Sequence, residues 1–420
     1  MRRPSTAPAR APQPAAAYLD EVLGLLFPGD GGARRGSRRL RGARPDEHEL
    51  VAIPNADRPK VVVPRRPLRA TATAVRNSRS TSSPRVAAAL LAAGVAARLG
   101  AADLLPDRIV VSGGGGRPAD ILTYLRRELG EDVLVSLLVG PVRATQKPVL
   151  QVITPDARTL GFAKVGVSEL SRALVRHEAE ALTSLAGRGL REVRVPRVLL
   201  HGTWQGHEIL VQEAFPQHRG GDVDGPRLTA AMVEVARSAG VGERPLAGTP
   251  FWQRLRAGVL DAAGAGGATG AALADAVARL EASRGLQPVS LGAWHGDWAP
   301  WNMTVGDGAV KVWDWETYAE GMPLGFDRLH FGLQSDVVLK EVPPAEAVRR
   351  AGRRAAAELA PFGVTEPAAR VVLVLYLLHL VAGFAETGET GTRLARLDTW
   401  VPEVLPGLVA GCVDGGGVSR

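Results

Sequence analysis

The run Trp294-His295-Gly296-Asp297-Trp298-Ala299-Pro300-Trp301-Asn302 is followed by Val312-Trp313-Asp314-Trp315-Glu316. Together they place a carboxylate five residues before a carboxamide and add a second carboxylate beyond a short hairpin. Phosphoryl transfer from a nucleotide needs that set of groups: one to orient the attacking hydroxyl, and two oxygen ligands for magnesium. Met303-Thr304-Val305 and Ala309-Val310-Lys311-Val312-Trp313 alternate as two strands, and Gly306-Asp307-Gly308 between them is turn chemistry. With the turn centred on Asp307, Asn302 falls opposite Val312, and Asp314 is a diagonal neighbour at roughly 7–8 Å. Two side chains at that separation can share one hard cation. Zinc suits the cluster poorly, because it offers one His and no Cys. A lone HxD would read as an ordinary hairpin with a capping aspartate. D-x4-N, the hairpin and the second carboxylate together select the metal reading.

Those residues carry a resemblance. HGD-x4-N followed by a hydrophobic-D-W-E segment resembles the aminoglycoside phosphotransferase and choline kinase group, the small-molecule branch of the protein-kinase-like fold. The resemblance covers roughly residues 131–410. Protein kinases usually read HRD-x4-N and DFG at these places. The resemblance implies an α+β fold with an antiparallel-sheet amino-terminal lobe and a mainly helical carboxy-terminal lobe, with ATP and Mg2+ bound between them. It implies Asp297 as catalytic base or hydroxyl-orienting group, and Asn302 and Asp314 as magnesium ligands. It also implies a lysine on a strand and a glutamate on the next helix.

The elements upstream supply candidates for that pair. Asp132–Gly140, Lys147–Ile153 and Thr159–Val165 read as three strands, and Lys164 sits among apolar residues in the third, where a phosphate-binding lysine belongs. The helix expected over Ser168–Leu185 has an apolar stripe at Leu170, Leu174, Ala181, Leu182 and Leu185. Glu178 lies four residues from both Leu174 and Leu182 and points inward, whereas Glu180 faces water. Glu178 is therefore the expected partner of Lys164. Glu208–Pro216 reads as a strand ending at a turn; the resemblance makes it the hinge, where backbone groups of Glu213 and Phe215 meet adenine. The loop Gly140–Gln146 would lie over the phosphates, with Arg143 or Thr145 contributing. Asp327 stands where the resembled family carries a further aspartate, which is expected to cap the catalytic-loop backbone.

Charge divides the chain. Residues 1–130 carry 22 Lys+Arg against 11 Asp+Glu, and residues 131–420 carry 29 against 32. The basicity belongs to the amino-terminal part, so no nucleic-acid partner is expected for the kinase-like part. Residues 1–48, rich in Ala, Arg, Gly and Pro, read as a disordered tail with a short helix at Ala15–Phe27. Its cluster Arg34-Arg35, Arg38-Arg39 and Arg41 would suit an acidic partner. Residues 49–130 read as a small α/β extension packed on the amino-terminal lobe. Residues 131–215 read as that lobe, 216–410 as the helical lobe and 411–420 as a disordered tail. Further helices are expected at Leu228–Ala239, Phe251–Leu280, Pro344–Leu359 and Ala368–Phe384. The apolar run Val371–Phe384 is too short for the ~20 residues of a membrane span, so a buried helix and no membrane partner are expected. The single Cys412 and the lack of a signal peptide suit a cytoplasmic enzyme.

The expected function is ATP-dependent phosphorylation of a small-molecule hydroxyl: an amino sugar, a sugar or a choline-like metabolite. Glu316 and Glu320 are candidate acidic liners for a cationic acceptor, and Trp298, Trp301 and Trp315 are candidates for an aromatic wall. The alternative is a catalytically weak nucleotide-binding scaffold acting through its basic extension. The intact set Lys164, Asp297, Asn302 and Asp314 speaks against it.

Overall fold

The computed structural model of the chain describes residues 15–28, 32–36, 47–78, 84–105, 107–112, 120–140, 146–215, 225–284, 287–388 and 391–413. The chain divides into two compact units, Met1–Thr183 with Pro196–Gln217, and Ser184–Val195 with His218–Arg420.

The first unit runs α1 (Ala15–Leu26), β1 (Ala33–Gly36), β2 (Glu47–Ile53), β3 (Val61–Pro64), α2 (Leu68–Arg76), α3 (Pro84–Arg98), β4 (Arg108–Ser112) and α4 (Ile121–Leu129). It continues with β5 (Leu134–Leu138), β6 (Val149–Ile153), β7 (Thr159–Gly166) and α5 (Glu169–Ala186), whose last residues pass into the second unit. After β8 (Val193–Arg194), which belongs to the second unit, β9 (Val198–Trp204) and β10 (His207–Glu213) complete it. Its strands form one antiparallel sheet in the order β1-β4-β2-β3-β5-β6-β7-β10-β9. The five strands β5-β6-β7-β10-β9 are the expected lobe. The sheet does not stop there, because β3 pairs with β5 through Val61↔Leu138 and Val62↔Leu137.

The α/β extension expected over residues 49–130 thus joins the sheet itself. Its residues extend the lobe's sheet and cover it. The alternating side chains of β2 and β3 separate into two cores: Leu50, Ala52 and Val62 pack with α1 and α4, while Val51, Val61 and Val63 pack with α2 and α3. A run such as Val61-Val62-Val63 is apolar throughout because both faces are buried.

The short helix expected at Ala15–Phe27 is present as α1, and for residues 15–28 the tail reading is corrected, because the helix packs into the core. Tyr18, Leu19, Val22, Leu23, Leu26 and Phe27 are buried in the α1/α4 core. Arg34 pairs with Glu47, and Arg35 with Asp20 at 2.8 Å, so the acidic partners of these two arginines are intramolecular. Arg38, Arg39 and Arg41 lie outside the described residues, as do Arg143 and Thr145 of the expected phosphate loop.

The second unit holds β8, α6 (Pro226–Arg237), β11 (Gly242–Pro245), α7 (Pro250–Ala263), α8 (Gly267–Arg284), β12 (Pro288–Trp294), β13 (Met303–Gly306) and β14 (Ala309–Val312). After these come β15 (Ala319–Pro323), α9 (Phe326–Gln334), α10 (Pro344–Leu359), α11 (Glu366–Thr387) and α12 (Val401–Val413). Two three-stranded sheets, β11-β12-β15 and β13-β14-β8, sit among these helices. At 22 residues, α11 is longer than expected, and by length and composition alone it could cross a membrane. Nine of its residues, from Ala369 to Val381, are buried, and it packs on α7, α10 and α12. The carboxy-terminal tail read from 411 is corrected at its start, since α12 runs to Val413 and buries Cys412. The fold is α+β, with an antiparallel-sheet unit followed in the chain by a mainly helical one.

Candidate active site

In the first unit, β7 sends Ala163 and Val165 into the α1/α4 core, so Lys164 between them faces the opposite side of the sheet. Helix α5 starts at a reciprocal cap: Ser168 Oγ accepts from the Ser171 N–H at 3.1 Å, and Ser171 Oγ accepts from the Ser168 N–H at 2.9 Å. From that start Glu178 falls on the inner face and Glu180 is exposed. Leu170 is half exposed rather than on the stripe; Val175, Ala179, Leu182 and Leu185 complete it. Lys164 Nζ lies 2.5 and 2.6 Å from the two carboxylate oxygens of Glu178, both side chains being buried. A buried pair gains little stability once both charges leave water. What it supplies is a fixed ammonium position.

At the end of β10, the Glu213 N–H donates to the Arg197 carbonyl at 2.8 Å, and the Glu213 carboxylate pairs with Arg197 at 3.2 Å. The Ala214 N–H donates to the Leu160 carbonyl at 3.2 Å. Phe215 closes this described stretch. The hinge assignment of Glu213 thus cannot use its N–H, which the sheet edge already occupies.

The second unit assembles the HGD-x4-N segment around His295. The strand β12 ends at Trp294, and the two following N–H groups, of His295 and Gly296, donate to the Asp327 carboxylate at 2.8 and 3.2 Å. This is the capping expected of Asp327. The Asp297 N–H donates to His295 Nδ1 at 3.1 Å, so the opposite ring nitrogen, Nε2, donates to the Trp313 carbonyl at 3.1 Å. Acceptance at Nδ1 requires a neutral ring. Burial holds the His295 pKa down at about 4, and the same burial lifts Asp327 to about 6 against its two N–H donors. Gly296 has φ +95, and a Cβ there would stand 2.6 Å from the Thr317 carbonyl oxygen, so this turn admits glycine alone.

The hairpin is tighter than expected. Asp307 (φ 53) and Gly308 (φ 81) form a two-residue loop with both residues left-handed. Met303, not Asn302, therefore pairs with Val312, and the Trp313 N–H donates to the Asn302 carbonyl at 3.0 Å. The register is one residue off the expected pairing because the turn centres between Asp307 and Gly308. The backbone of Trp313 thereby bridges Asn302 and His295. Asp314 follows in a left-handed conformation (φ 73, ψ 55), costly for a side-chain-bearing residue and sustained by the bonds on either side.

Asn302 Nδ2 donates to the Asp297 carbonyl at 2.9 Å and to Asp297 Oδ2 at 2.8 Å. Both partners are acceptors, so the amide nitrogen must face them and Oδ1 must point elsewhere. Carboxylate oxygens of Asp314 and Glu316 approach within 4.8 Å of each other. Carboxylate and carboxamide oxygens of this kind are the ligand types that magnesium takes.

Two residues outside any motif complete the surroundings of Asp297. His330 Nε2 lies 3.2 Å from Asp297 Oδ1, and the Tyr376 hydroxyl lies 3.0 Å from His330 Nδ1. Sequence reasoning missed both. The only local signal was the position of His330, three residues after Asp327 and so on the same face of α9.

The expected aromatic wall is corrected for Trp298 and Trp315. Both are fully buried and pack against the His295 ring, whereas Trp301 and Trp313 are half-buried. Of the expected acidic liners, Glu320 is bound to Arg188 at 2.5 Å and to the Tyr318 hydroxyl at 3.0 Å.

The buried histidines set a pH dependence. His295 and His379, each near 4 when folded, bind fewer protons than in the unfolded chain between about 4 and 6.5, so acidification through that window favours unfolding. Asp327 acts oppositely between its ordinary value and about 6, but it is one group against two. Each net proton contributes about 1.4 kcal/mol per pH unit. Thermal melts are expected to show Tm falling steadily from pH 6.5 to pH 4.5; a constant or rising Tm would contradict these environments.

No curated protein matches the chain. Among solved structures, a protein assigned as a fructosamine-3-kinase from Haemophilus somnus 129PT is 14% identical, covering 69% of this chain and 96% of its own, with a TM-score of 0.44. An ADP-bound aminoglycoside phosphotransferase is 12% identical (69% and 98% covered, TM-score 0.41). A glucosamine kinase in complex with glucosamine, ADP and inorganic phosphate is 17% identical (73% and 84% covered, TM-score 0.34). Residues 151–324, the stretch that carries Lys164, Glu178, Asp297, Asn302 and Asp314, match the family described as APH, phosphotransferase enzyme family, and over that stretch the resemblance is shown.

Proposed function

We propose that this chain transfers the γ-phosphoryl group of ATP to a hydroxyl of a small molecule. The observation that carries the reading is the Asp297–Asn302 pair: a carboxylate held through one oxygen by an amide whose own oxygen is thereby turned outward. Asp297 is 40% exposed at its side chain, so it remains open to an incoming hydroxyl while the loop beneath it is buried. It accepts the hydroxyl's hydrogen bond and takes its proton as the new oxygen–phosphorus bond forms and the bond to the leaving diphosphate oxygen breaks. Asn302 Oδ1 and Asp314 would hold magnesium, which neutralises charge on the phosphates when bound. Lys164, fixed by Glu178, is assigned to the phosphates, and the end of β10 at Glu213 and Phe215 to the base.

The acceptor reading follows from what the side chains are already committed to. Glu320 is neutralised by Arg188, and two of the three candidate tryptophans are core residues. This favours an uncharged or singly charged hydroxyl compound over a polycation. ADP release with magnesium and ATP, measured across sugars, amino sugars and quaternary amino alcohols, is expected to rise about tenfold or more over ATP alone with one class. A panel in which no hydroxyl compound raises ADP release, with ATP binding demonstrated, removes the reading.

A further inference from the structure

We infer that His330 and Tyr376 are positioning residues for Asp297, acting as a hydrogen-bonded chain from helix α11 through helix α9 to the carboxylate. The inference rests on the proposed role of Asp297 and adds two residues that lie outside the HGD-x4-N and D-W-E segments.

The donor directions follow from chemistry. The Asp297 carboxylate accepts only, so His330 Nε2 carries the proton shared with Oδ1 at 3.2 Å. His330 Nδ1 then meets the Tyr376 hydroxyl at 3.0 Å. Burial and the nearby Asp297 and Asp327 charges hold the Tyr376 pKa well above its ordinary value, so the phenol keeps its proton and is the natural donor to Nδ1. Tyr376 is fully buried, and its ring is fixed edge-on by Phe326 at 5.5 Å between centroids. His330 is 5% exposed. Neither side chain can swing into water.

The consequence is that both Asp297 oxygens are constrained, Oδ2 by Asn302 at 2.8 Å and Oδ1 by His330. Without the second contact the carboxylate could rotate about its own axis while still keeping Asn302. Helix α9 also serves the loop twice within one turn. Asp327 takes the backbone N–H groups of His295 and Gly296, and His330, three residues on, takes the side chain of Asp297. A small misplacement of a reacting group costs on the order of 100-fold in rate, which is the scale on which such a constraint acts.

The test is a double-mutant cycle read in kcat and in KM for ATP, using the hydroxyl compound selected above. Tyr376→Phe removes only the hydroxyl and should lower kcat about tenfold; His330→Ala should lower it about 100-fold, with KM for ATP within about twofold in both. Tyr376→Phe added to His330→Ala should change nothing further, and His330→Gln, which can still donate to Asp297, should recover part of the loss. Independent of turnover, 15N spectra of the histidine side chains should show His330 protonated at Nε2, with the Nδ1 resonance moving in Tyr376→Phe. Additive losses, an effect on KM alone, unchanged kcat in Tyr376→Phe, or a His330 bare at Nε2 would overturn the inference. If Asp297→Asn keeps full turnover, the proposed function falls and this inference with it. If Asp297→Asn is dead while the His330 and Tyr376 variants are unaffected, the positioning chain falls alone.

Discussion

Asp297→Asn is expected to abolish turnover while leaving ATP affinity nearly unchanged. The substitution conserves shape, so the packing of the loop is kept. It removes the negative charge that attracts the hydroxyl proton, and it replaces one acceptor oxygen with a donor nitrogen. Asn302 Nδ2 and His330 Nε2 both donate to the present carboxylate. A carboxamide can satisfy only one of them, so the variant also loses one of its two constraints. Loss of general-base assistance typically costs about 100- to 10,000-fold, and the broken contact adds to that. The groups assigned to the phosphates and base, Lys164, Glu178 and Glu213, are untouched. ADP release should therefore fall by about 1,000-fold or more, with the dissociation constant for ATP, measured by calorimetry, within about threefold. Turnover within tenfold of the unmutated protein would remove Asp297 from the reaction.

The candidate site was legible in the sequence where its geometry is local. Asp297, Asn302 and Asp314 lie within 18 residues of one another, and an Asp-Gly loop folds the segment back on itself by turn chemistry alone. The register error of one residue came from the same locality: Gly306-Asp307-Gly308 admits two turn centres, and only the left-handed pair at Asp307 and Gly308 decides between them. Glu178 was legible because helical periodicity assigns it a face. His330 and Tyr376 were not, because they reach Asp297 across 33 and then 46 residues of chain. No spacing rule connects a position on one helix to a position on another; packing does. The tryptophans failed for a related reason. Aromatic side chains beside a polar loop serve equally as a ligand wall or as the loop's foundation, and burial alone separates Trp298 and Trp315 from Trp301 and Trp313.

In the amino-terminal part the helix at Ala15–Phe27 was legible but its burial was not. Over residues 1–48 the composition is that of a tail. Within it, Tyr18-Leu19, Val22-Leu23 and Leu26-Phe27 recur at helical spacing while Asp20, Glu21 and Gly24 are exposed. Such a stripe needs a surface to bury against. The surface is the sheet face formed by β2, β3, β5, β6 and β7, which no local pattern announces. The pairing of β3 with β5 likewise joins residues about 75 apart in the chain. The boundary drawn at residue 130, where the resemblance begins, therefore cuts through a continuous sheet.

Leu19→Asp combined with Leu23→Asp is accordingly expected to unfold the first unit, an outcome opposite to that of mutating a tail. Leu19 is 0% exposed and Leu23 2%. Burying a leucine contributes about 1.5–3 kcal/mol, and each introduced carboxylate would stand in the apolar α1/α4 core. Stranding a charge there costs several kcal/mol more each, so the pair exceeds the roughly 5–15 kcal/mol that holds a domain folded. The expectation extends to the whole helix. Six side chains from Tyr18 to Phe27 lie in that core, and their burial alone is worth about 9–18 kcal/mol, taking 1.5–3 for each. Exposing the sheet face they cover would also leave Leu150, Val152, Ala163 and Val165 in water, on the same two strands that carry Lys164 and its neighbours. The loss should therefore appear twice: as proteolytic cleavage within residues 134–213 and as loss of ATP binding, while Asp20→Ala with Glu21→Ala on the exposed face of α1 leaves both unchanged. A double-aspartate variant that purifies as a soluble monomer with unaltered Tm would return residues 15–28 to the status of a tail.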